Sequence, residues 1–200
     1  MGLAQPKKRY TPQEYYALEE AAEYKSDYYK GEIFAMSGGT GRHSLISCNI
    51  TRHVGNRLEK SPCVVYESNL RVKNKFTGLR NYPDASVFCQ PVEYDDEDPR
   101  QTTATNQTVL FEVLSPTTEA YDRGFKAENY RRIATLKAYV IVSQGRPHAE
   151  IFLRQPDNSW LLREVDRLDS SLNIPPLGID LPLAEIYARV DFSDDDEEMV

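Results

Sequence analysis

The sequence predicts a single α/β domain built on a mixed sheet, and three observations support this prediction. The chain has 200 residues, 40% of them hydrophobic, which is enough for one sizeable core. Short apolar runs typical of buried strands follow one another through the middle of the chain, and amphipathic helical patterns lie before and after them. Two of these runs carry an acidic residue, Asp84 and Glu112, so we expect carboxylates inside the sheet.

The first 60 residues carry two helical patterns with a hairpin between them. Residues 11–14, Thr-Pro-Gln-Glu, form a capping box with proline at the first helical position, so we expect a helix over residues 12–22. Residues 28–36 indicate a β-hairpin that turns at a Lys-Gly pair and carries Glu32 on its second strand. Three glycines then break the pattern before a second helix, which we expect over residues 42–60.

The rest of the chain alternates strands with one long helix and ends in a short helix. Three strands precede the long helix and three follow it, the last two as an antiparallel pair. We expect the strands at residues 64–72, 85–89, 109–114, 138–143, 149–153 and 160–165, and the helices at residues 122–136 and 183–188.

The charge distribution separates a balanced body from an acidic end. The net charge is −7, but six of the 31 acidic residues fall in the last ten positions, which leaves 25 acids against 24 bases. We therefore expect one domain over residues 1–190 and a disordered acidic tail over residues 191–200. Residues 93–98 are expected to form an acidic surface loop. Basic clusters at residues 71–75 and 131–132 are compatible with a local positive face for nucleic acid.

The cysteines and the hydropathy pattern predict a cytoplasmic protein with no membrane partner. Cys48, Cys63 and Cys89 are odd in number, widely spaced and set among apolar neighbours, so we expect reduced, partly buried thiols. No apolar run approaches the roughly 20 residues that span a bilayer. The basic residues near the N-terminus are not followed by the apolar region of a secretory signal.

The two strand acids indicate a metal site. Glu112 lies in a run that is apolar on both sides, and an ionised carboxylate there is unfavourable unless it is paired or binds a cation. A second carboxylate beside it makes joint ionisation harder. A divalent ion such as Mg²⁺ reverses both effects, because hard cations prefer carboxylate oxygens. For Asp84 alone, the alternative is a turn carboxylate after proline.

Lys126 is expected on the inward face of the long helix. Lys126, Tyr130 and Ile133 fall at i, i+4 and i+7, on the face that should pack against the sheet. The lysine is also near the helix N-terminus, where a cation is unfavourable. Two interpretations remain open: an ion pair with Asp122 or a stem that covers apolar surface, and a catalytic cation beside the strand acids. The nearby acids favour the second.

Several motifs together resemble the Uma2 family, also called DUF820, of restriction-endonuclease-like proteins abundant in cyanobacteria. The similarity spans residues 10–190, and the motifs are Gly31-Glu32, His43, Pro83-Asp84, Glu112-Val113-Leu114-Ser115-Pro116-Thr117-Thr118, Asp122, Lys126 and Tyr130. The resemblance implies the PD-(D/E)xK nuclease core, in which helices flank a mixed sheet that carries an acidic site for Mg²⁺.

One position departs from that pattern. In a PD-(D/E)xK strand the lysine falls two residues after the second acid, on the same face of the strand, and here that position is Leu114. The resemblance implies that the lysine has moved to the following helix, which makes Lys126 the candidate. If Lys126 does not reach the carboxylates, the site would bind metal without cutting.

The resemblance also implies a role for each candidate residue. Asp84 and Glu112 would hold one or two Mg²⁺ ions, with Mn²⁺ as a substitute, and Lys126 would orient or deprotonate the attacking water. Glu32 would complete the metal shell, unless it is only a solvated hairpin residue. Two secondary candidates remain: His43, as a base or a structural hydrogen-bonding group, and Tyr130, as a phosphate contact or a core aromatic.

Two functions remain in competition at this point. The first is a Mg²⁺-dependent DNA endonuclease, expected to be a homodimer because cutting both strands with a single-site domain takes two copies. The second is a non-catalytic nucleic-acid- or protein-binding module that keeps the nuclease fold, which Leu114 and the nearly neutral body favour. Other hydrolases find no support, because the chain has no Gly-x-Ser-x-Gly elbow and no phosphate-binding loop.

Overall fold

The computed structural model describes residues 8–36 and 38–192 of the chain. The helices are α1 (Pro12–Ala21), α2 (Gly41–Leu58), α3 (Glu119–Tyr121), α4 (Ala127–Arg131) and α5 (Leu183–Ile186). A π-helical turn, Asp122–Lys126, joins α3 to α4, and a 3-10 turn, Pro175–Leu177, precedes the last strand. The strands are β1 (Ser26–Tyr29), β2 (Glu32–Ala35), β3 (Val64–Glu67), β4 (Arg71–Lys73), β5 (Arg80–Asn81), β6 (Ala85–Phe88), β7 (Thr103–Ala104), β8 (Val109–Leu114), β9 (Ala138–Ser143), β10 (Ala149–Arg154), β11 (Trp160–Val165), β12 (Ser171–Ile174) and β13 (Ile179–Pro182).

The centre of the molecule is a six-stranded mixed sheet in the order β11-β10-β9-β8-β6-β3. Strands β8 and β9 are parallel, and the other neighbours in this sheet are antiparallel. A five-stranded sheet, β2-β1-β5-β4-β7, and a β12-β13 hairpin complete the fold. The predicted mixed α/β class is therefore confirmed. In the described ranges, no helix is both long and apolar enough to cross a membrane.

The central sheet has two differently used faces, because side chains alternate along each strand. The odd-numbered residues of β8 pack against Ile46, Ile50 and Val54, the buried stripe of α2. Fully burying each of these aliphatic side chains contributes roughly 1.5–3 kcal/mol. Leu110 and Leu114, the outer even-numbered residues of β8, pack on the other side with α4 and with residues of the five-stranded sheet. The alternation that places the odd residues against α2 therefore directs the even-numbered Glu112 towards α4.

The predicted hairpin forms as β1 and β2, with Tyr29 opposite Glu32. Its two turn residues have positive φ angles, 48° at Lys30 and 86° at Gly31. Such a turn matches the right-handed twist of the two strands, and glycine adopts its conformation without the steric penalty of a side chain. The predicted first helix also forms, with the Thr11 capping box in place.

Three predicted elements differ from the observed ones. The strand expected over residues 64–72 is two strands in different sheets, because the backbone turns where the Leu70 N–H bonds the carbonyl of Glu67 (3.2 Å). The helix expected over residues 122–136 starts at Glu119 and ends at Arg131, where tight three-residue hydrogen bonds from the amides of residues 132 and 133 close it. The helix expected over 183–188 ends at Ile186, and the β12-β13 hairpin before it was not predicted.

The acidic loop at residues 93–98 is not simply a surface loop. Asp95 and Asp98 are buried. The carboxylate of Asp95 lies 2.7 Å from the ammonium of Lys73 and 3.1 Å from the guanidinium of Arg80, and Asp98 lies 3.6 Å from Arg71. Arg71 and Lys73 of the predicted basic cluster at residues 71–75 therefore form ion pairs inside the protein, because the fold brings the two charged segments together.

One residue of the predicted acidic tail, Phe192, packs against the domain. Phe192 packs its ring against that of Tyr187 at a centroid distance of 5.5 Å and joins the hydrophobic core on the α2 side of the sheet. The packed part of the chain therefore continues past residue 190. The rest of the predicted tail, residues 193–200, lies outside the described residues.

The prediction of three reduced cysteines is wrong. Cys63 and Cys89 form a disulfide, whereas Cys48 is free and exposed. The pairing follows from the register of β3 and β6, since Val64 lies opposite Phe88 and the cysteines are the next residues outward on each strand. The two cysteines are 26 residues apart, so their spacing in the sequence did not indicate that they meet.

We expect the disulfide to contribute to stability. For a closed loop of this length, the entropic model gives about 3.5 kcal/mol. Urea unfolding of the oxidised protein should therefore show a higher midpoint than that of the Cys63→Ser/Cys89→Ser variant. Cys48→Ser, which removes the free thiol, is the matched control and should leave the midpoint unchanged. A thiol titration of the unfolded, unreduced protein that finds three thiols instead of one would contradict the pairing.

Candidate active site

The two strand acids lie side by side on the α4 face of the central sheet. Ala85 of β6 pairs with Phe111 of β8, so the next residues outward, Asp84 and Glu112, face one another across the two strands. The backbone N–H of Val113 donates a hydrogen bond to Oδ2 of Asp84 (2.7 Å). This bond fixes the Asp84 carboxylate against the strand that carries Glu112.

Lys126 reaches the acids from the helical segment. Its Nζ lies 3.0 Å from Oε1 of Glu112, to which it donates a hydrogen bond, and 2.9 Å from Oδ1 of Asp122. Lys126 is 6% exposed and Glu112 3% exposed, so this is a buried ion pair and not a surface one. Both sequence interpretations of Lys126 are therefore present at once: it pairs with Asp122 and it contacts a strand acid.

The π-helical turn determines which side chains the helix directs inward. The N–H of Ala127 donates to the carbonyl of Asp122, five residues back, instead of to the usual fourth residue. Asp122 and Lys126, the first and last residues of the turn, are both buried. π-Helical turns are rare and are frequently found at functional sites. Here the turn directs one acid and one base into the same interior space.

Tyr130 belongs to the interior of the site. It is fully buried, and its hydroxyl donates to Oε1 of Glu112 (2.7 Å) and accepts a hydrogen bond from Nδ2 of Asn81. Of the two roles considered for Tyr130, the core aromatic fits this environment, because a fully buried hydroxyl with both partners cannot reach a substrate phosphate. Tyr130 instead holds the Glu112 carboxylate in place.

One acid near the ammonium was missed by the sequence motifs, and a second was given only a pairing role. Asp27 of β1 is buried and accepts a hydrogen bond from the hydroxyl of Tyr121 (3.2 Å). Its negative charge raises the pKa of Lys126. Asp122 was considered only as an ion-pair partner of Lys126. The sequence indicated Asp27 only weakly. It is an acid beside aromatic residues in a hairpin strand, and in such a strand every second side chain is expected to face solvent.

The pKa values reflect burial and an excess of carboxylates. Burial raises the pKa of Asp27 to about 6, although Lys126 lowers it. Burial also raises the pKa of Glu112, opposed by Lys126 and reinforced by Asp122 and Asp84. For Lys126, burial lowers the pKa, but the carboxylates of Glu112, Asp122 and Asp27 raise it overall. The ammonium is therefore charged, and three carboxylates act on one cation.

His43 lies beside Asp84, with its Nε2 3.4 Å from Oδ2 of the carboxylate. The contact with Asp84 raises the pKa of His43, and burial opposes this. Gly39 packs directly on the imidazole, since a Cβ at that position would lie 2.9 Å from Nδ1. The glycine-rich segment thus allows the first turn of α2 to bring a histidine next to a site acid.

Glu32 lies at the end of the hairpin. Its carboxylate is about one-third exposed and lies 3.8 Å from the guanidinium of Arg9. In the hairpin register, Glu32 is opposite Tyr29, whereas Asp27, two residues before Tyr29, carries the buried carboxylate. The acid that the hairpin contributes to the buried cluster is therefore Asp27.

A cleft of about 820 Å³ opens at His43 and Asp84. Lys25 and Arg52 line it and supply positive charge, and Tyr82 contributes an aromatic face. The ammonium of Lys25 donates to the carbonyl of Ser68 (2.9 Å) and lies 5.3 Å from the centre of the Tyr82 ring. An extended anionic ligand in this cleft would reach Asp84 from the solvent side.

Comparison with known proteins identifies the family. The model of the family described as "Uma2: Putative restriction endonuclease" matches residues 12–184. The chain belongs to the Uma2 family. Two relatives from Synechocystis sp., the uncharacterized proteins slr1290 and sll1609, are 32% and 28% identical to it. The matches cover 94% and 78% of this chain and 96% and 86% of the relatives.

A similar solved structure supports the fold of this Uma2 protein. The crystal structure of a protein described as a "putative nuclease belonging to DUF820" from Anabaena variabilis superposes with a TM-score of 0.72. The match covers 90% of this chain and 98% of that protein, at 16% sequence identity. At this identity the likeness shows the fold, and it agrees with the nuclease-like fold that the sequence motifs predicted.

The donors of the Uma2 site fit a divalent cation in charge and chemical type. Oδ1 of Asp27 is buried without a side-chain hydrogen-bond donor, and Oδ1 of Asp122 is buried beside the ammonium of Lys126, 2.9 Å away. Together with Asp84 and Glu112 they offer hard carboxylate oxygens, the ligands that Mg²⁺ and Mn²⁺ prefer. Within the described residues, no three acidic, histidine or cysteine side chains are already grouped to hold a metal. Binding would therefore require these carboxylates to rotate towards the ion.

The raised pKa of Asp27 predicts a specific pH dependence of stability. Because the folded state holds this proton more tightly than the unfolded state, its contribution is complete below pH 4 and is lost as pH rises through about 6. Asp27→Asn imitates the protonated form. In the absence of metal, it should unfold at higher urea than the wild type at pH 7.5, by on the order of 2 kcal/mol, and the difference should vanish near pH 4.

Tyr121→Phe is the control for this measurement, since it removes the hydrogen bond to Asp27 but keeps the carboxylate and its titration. A variant Asp27→Asn that loses stability relative to wild type as pH rises would show that the carboxylate is stabilised by Lys126 more than it is penalised by burial.

Proposed function

We propose that this Uma2 protein is a divalent-metal-dependent endonuclease that hydrolyses phosphodiester bonds in DNA. The observation that carries the proposal is the position of Lys126, whose ammonium lies 3.0 Å from Oε1 of Glu112, on the sheet face shared with Asp84. The strand position of the usual lysine is occupied by the buried Leu114. The helical lysine therefore supplies the cation that the strand lacks, which is the arrangement that hydrolysis needs.

Each site residue has a role that follows from its contacts. Asp84 and Glu112 would hold the metal ion, with Asp27 and Asp122 as further oxygen donors. When bound, the ion would supply a Lewis acid and lower the pKa of a water molecule. Lys126 would orient that water and stabilise negative charge on the phosphoryl oxygens. The hydroxyl of Tyr130 keeps Glu112 in position, since it donates to the same oxygen as Lys126.

The cleft beside His43 supports a nucleic-acid strand as the substrate. Lys25 and Arg52 provide cations for backbone phosphates. One site cuts one strand, so cleavage of both strands of duplex DNA would require two copies of the chain. A cytoplasmic homodimer acting on DNA remains part of this proposal.

One observation favours a second function, a nucleic-acid-binding module without catalysis. Oε1 of Glu112 already accepts hydrogen bonds from both Lys126 and Tyr130, and Lys126 also pairs with Asp122. These contacts compensate the buried Oε1 of Glu112 without a metal ion. Because a non-catalytic module would keep its fold and DNA binding without an ion, metal dependence separates the two functions.

Cleavage assays test the catalytic roles. Asp84→Asn and Glu112→Gln should each reduce metal-dependent cleavage of DNA by at least about 100-fold, because each removes a charge that the ion or the reacting phosphate needs. Glu128→Gln, which changes an exposed acid paired with Arg132 on the outside of α4, is the matched control and should cleave normally. Wild-type rates in Asp84→Asn or Glu112→Gln would place the activity elsewhere.

Lys126 needs two variants in the same assay. Lys126→Met leaves Glu112 and Asp122 buried without a cation, so we expect it to destabilise the protein by about 3–5 kcal/mol. Lys126→Arg keeps the charge and should fold, yet its planar guanidinium cannot take the place of a compact ammonium, and cleavage should still fall. Full activity in Lys126→Arg would show that only the charge matters.

Thermal denaturation tests the metal itself. Millimolar Mg²⁺ or Mn²⁺ should raise the melting temperature of the wild type, because an ion at about 100 times its Kd stabilises the folded state by about 2.7 kcal/mol. The shift should shrink in Asp84→Asn and Glu112→Gln and persist in Glu128→Gln. DNA binding without any metal-induced shift or cleavage would support the non-catalytic module.

A further inference from the structure

The cleft beside His43 has an exposed aromatic side chain in its lining. Tyr24 lines this cleft and is 64% exposed. Among the described residues, its ring contacts no other aromatic ring and its hydroxyl has no hydrogen-bond partner. A single exposed aromatic residue is common on protein surfaces, so its surroundings decide whether it serves a ligand.

The backbone next to Tyr24 is anchored on both sides of the cleft. The N–H of Met36 donates to the carbonyl of Lys25 (2.9 Å), which extends the pairing of β1 and β2 by one residue beyond Ser26. The ammonium of Lys25 donates to the carbonyl of Ser68 (2.9 Å), which lies across the cleft. The ring of Tyr24 is therefore presented by an ordered segment, which lowers the entropic cost of binding a ligand on it.

The charges that line the cleft are nearly balanced. The basic side chains are Lys25, Arg52 and His43, and the acidic ones are Asp84 and Glu67. The carboxylate of Glu185, which lies outside the lining, also acts electrostatically on Arg52. A protein that holds duplex DNA by charge neutralises several phosphates. Two permanent cations beside two acids do not supply that, so most of the binding energy has to come from another contact.

The acids of the site lie below the surface. The side chain of Asp84 is 14% exposed, and Glu112 is 3% exposed. The cleft above them, about 820 Å³, falls in the range of roughly 300–1,000 Å³ that suits a small ligand. A space of this size accepts an unpaired nucleotide but not both strands of a helix. A phosphate therefore reaches these acids more readily from a strand that has left its duplex.

We propose that the cleft takes a single strand of DNA and that Tyr24 stacks on one of its bases. Lys25 and Arg52 bind backbone phosphates of the same strand. Stacking on an aromatic ring is tolerant of sequence, because every base has a π face. The cleft thus selects unpaired strands and reads no sequence, and a duplex is cut where its strands separate. This inference rests on the proposed nuclease function, since it names the form of DNA that the same site takes.

DNA binding in EDTA tests the inference without cleavage. Fluorescence anisotropy with a labelled oligonucleotide, alone or annealed to its complement, should give a lower Kd for the single strand. Tyr24→Ala should raise that Kd about fivefold or more, whereas Tyr24→Phe, which keeps the ring, should bind normally. Phe76→Ala is the matched control, because it removes an exposed aromatic ring that lines a different cavity. All three variants should melt at the wild-type temperature, since both side chains are exposed.

An oligonucleotide of the same length without bases identifies the contact. It keeps the phosphates but offers nothing on which a ring can stack, so the wild type and Tyr24→Ala should bind it equally weakly. With Lys25 and Arg52 as the phosphate contacts, the slope of log K against log salt should be about −1.4, at ~0.7 for each phosphate. Tyr24→Ala should leave this slope unchanged, and Arg52→Gln should reduce its magnitude by about 0.7.

Cleavage in Mg²⁺ separates this inference from the nuclease function. A single-stranded circle should be cut, and a relaxed, closed duplex circle, which has no ends to separate, should resist. Normal single-strand binding by Tyr24→Ala, duplex binding as tight as single-strand binding, or equal cleavage of both circles would overturn the inference. Single-strand binding that depends on Tyr24, without cleavage of either circle, would refute only the nuclease function.

Discussion

The structure of this chain depends on one buried cation. Lys126 lies among carboxylates that come from different parts of the fold: Glu112 from the central sheet, Asp122 from the π-helical turn, and Asp27 from the hairpin of the second sheet. Without that ammonium, the carboxylates would repel one another in a region that excludes water. The position of the helical segment on the sheet is therefore an electrostatic requirement as well as a matter of apolar packing.

The two faces of the central sheet carry different kinds of side chain: apolar core residues on one, and the acids of the candidate site on the other. On one face, α2 and the β12-β13 hairpin cover an apolar layer that keeps the strands in register. On the other face, the same strands display Glu112 and, next to β6, Asp84. A rigid register matters here because a shift of one residue would turn both acids to the opposite face. The apolar side thus positions the polar side, and from α2 it contributes only His43, at the N-terminal turn, to the surroundings of Asp84.

The cations of the chain fall into two groups: those that pair with buried acids and those that line the cleft beside the site. Arg71, Arg80 and Lys73 are used to bury Asp95 and Asp98 beneath the second sheet, where aromatic rings of Tyr15 and Tyr16 stack on the guanidinium groups. They hold the loop at residues 95–98 and helix α1 against the second sheet. Lys25 and Arg52 instead line the cleft that opens at His43 and Asp84. Net charge and local charge clusters in the sequence could not distinguish these two uses.

The sequence predicted those parts of the fold that local patterns determine. The capping box at Thr11, the Lys-Gly turn and the apolar stripe of α2 each depend on residues within a few positions of one another, and all three are present. The division of residues 64–72 between two sheets depends on partners far along the chain, as does the disulfide between Cys63 and Cys89. Similarly, an i,i+4 spacing places Asp122 and Lys126 together in an α-helix or in a wider turn, so the π-helical turn left no trace in the pattern.

For the candidate site, the sequence motifs pointed to Asp84, Glu112 and Lys126, which the fold brings together, but not to Asp27. An acid in the middle of a run of strand residues is informative, whereas an acid in a short hairpin with alternating polarity is what a solvated strand also shows. Only the packing of the hairpin against the helical segment, with Tyr29 in contact with Phe125, shows that this side of the hairpin faces inward.

The lysine beside Glu112 comes from a helical segment and not from the strand, which changes what sets its position. A lysine on the same strand as Glu112 would be held by the sheet, with its distance from the acid set by the strand itself. Lys126 instead belongs to a separate segment whose π-helical turn, together with Leu114 in the vacated strand position, sets how far the ammonium reaches. The distance from the cation to Glu112 is then a property of helix-on-sheet packing. Any change that moves the helical segment relative to β8 alters the ion pair, even if every site residue is unchanged.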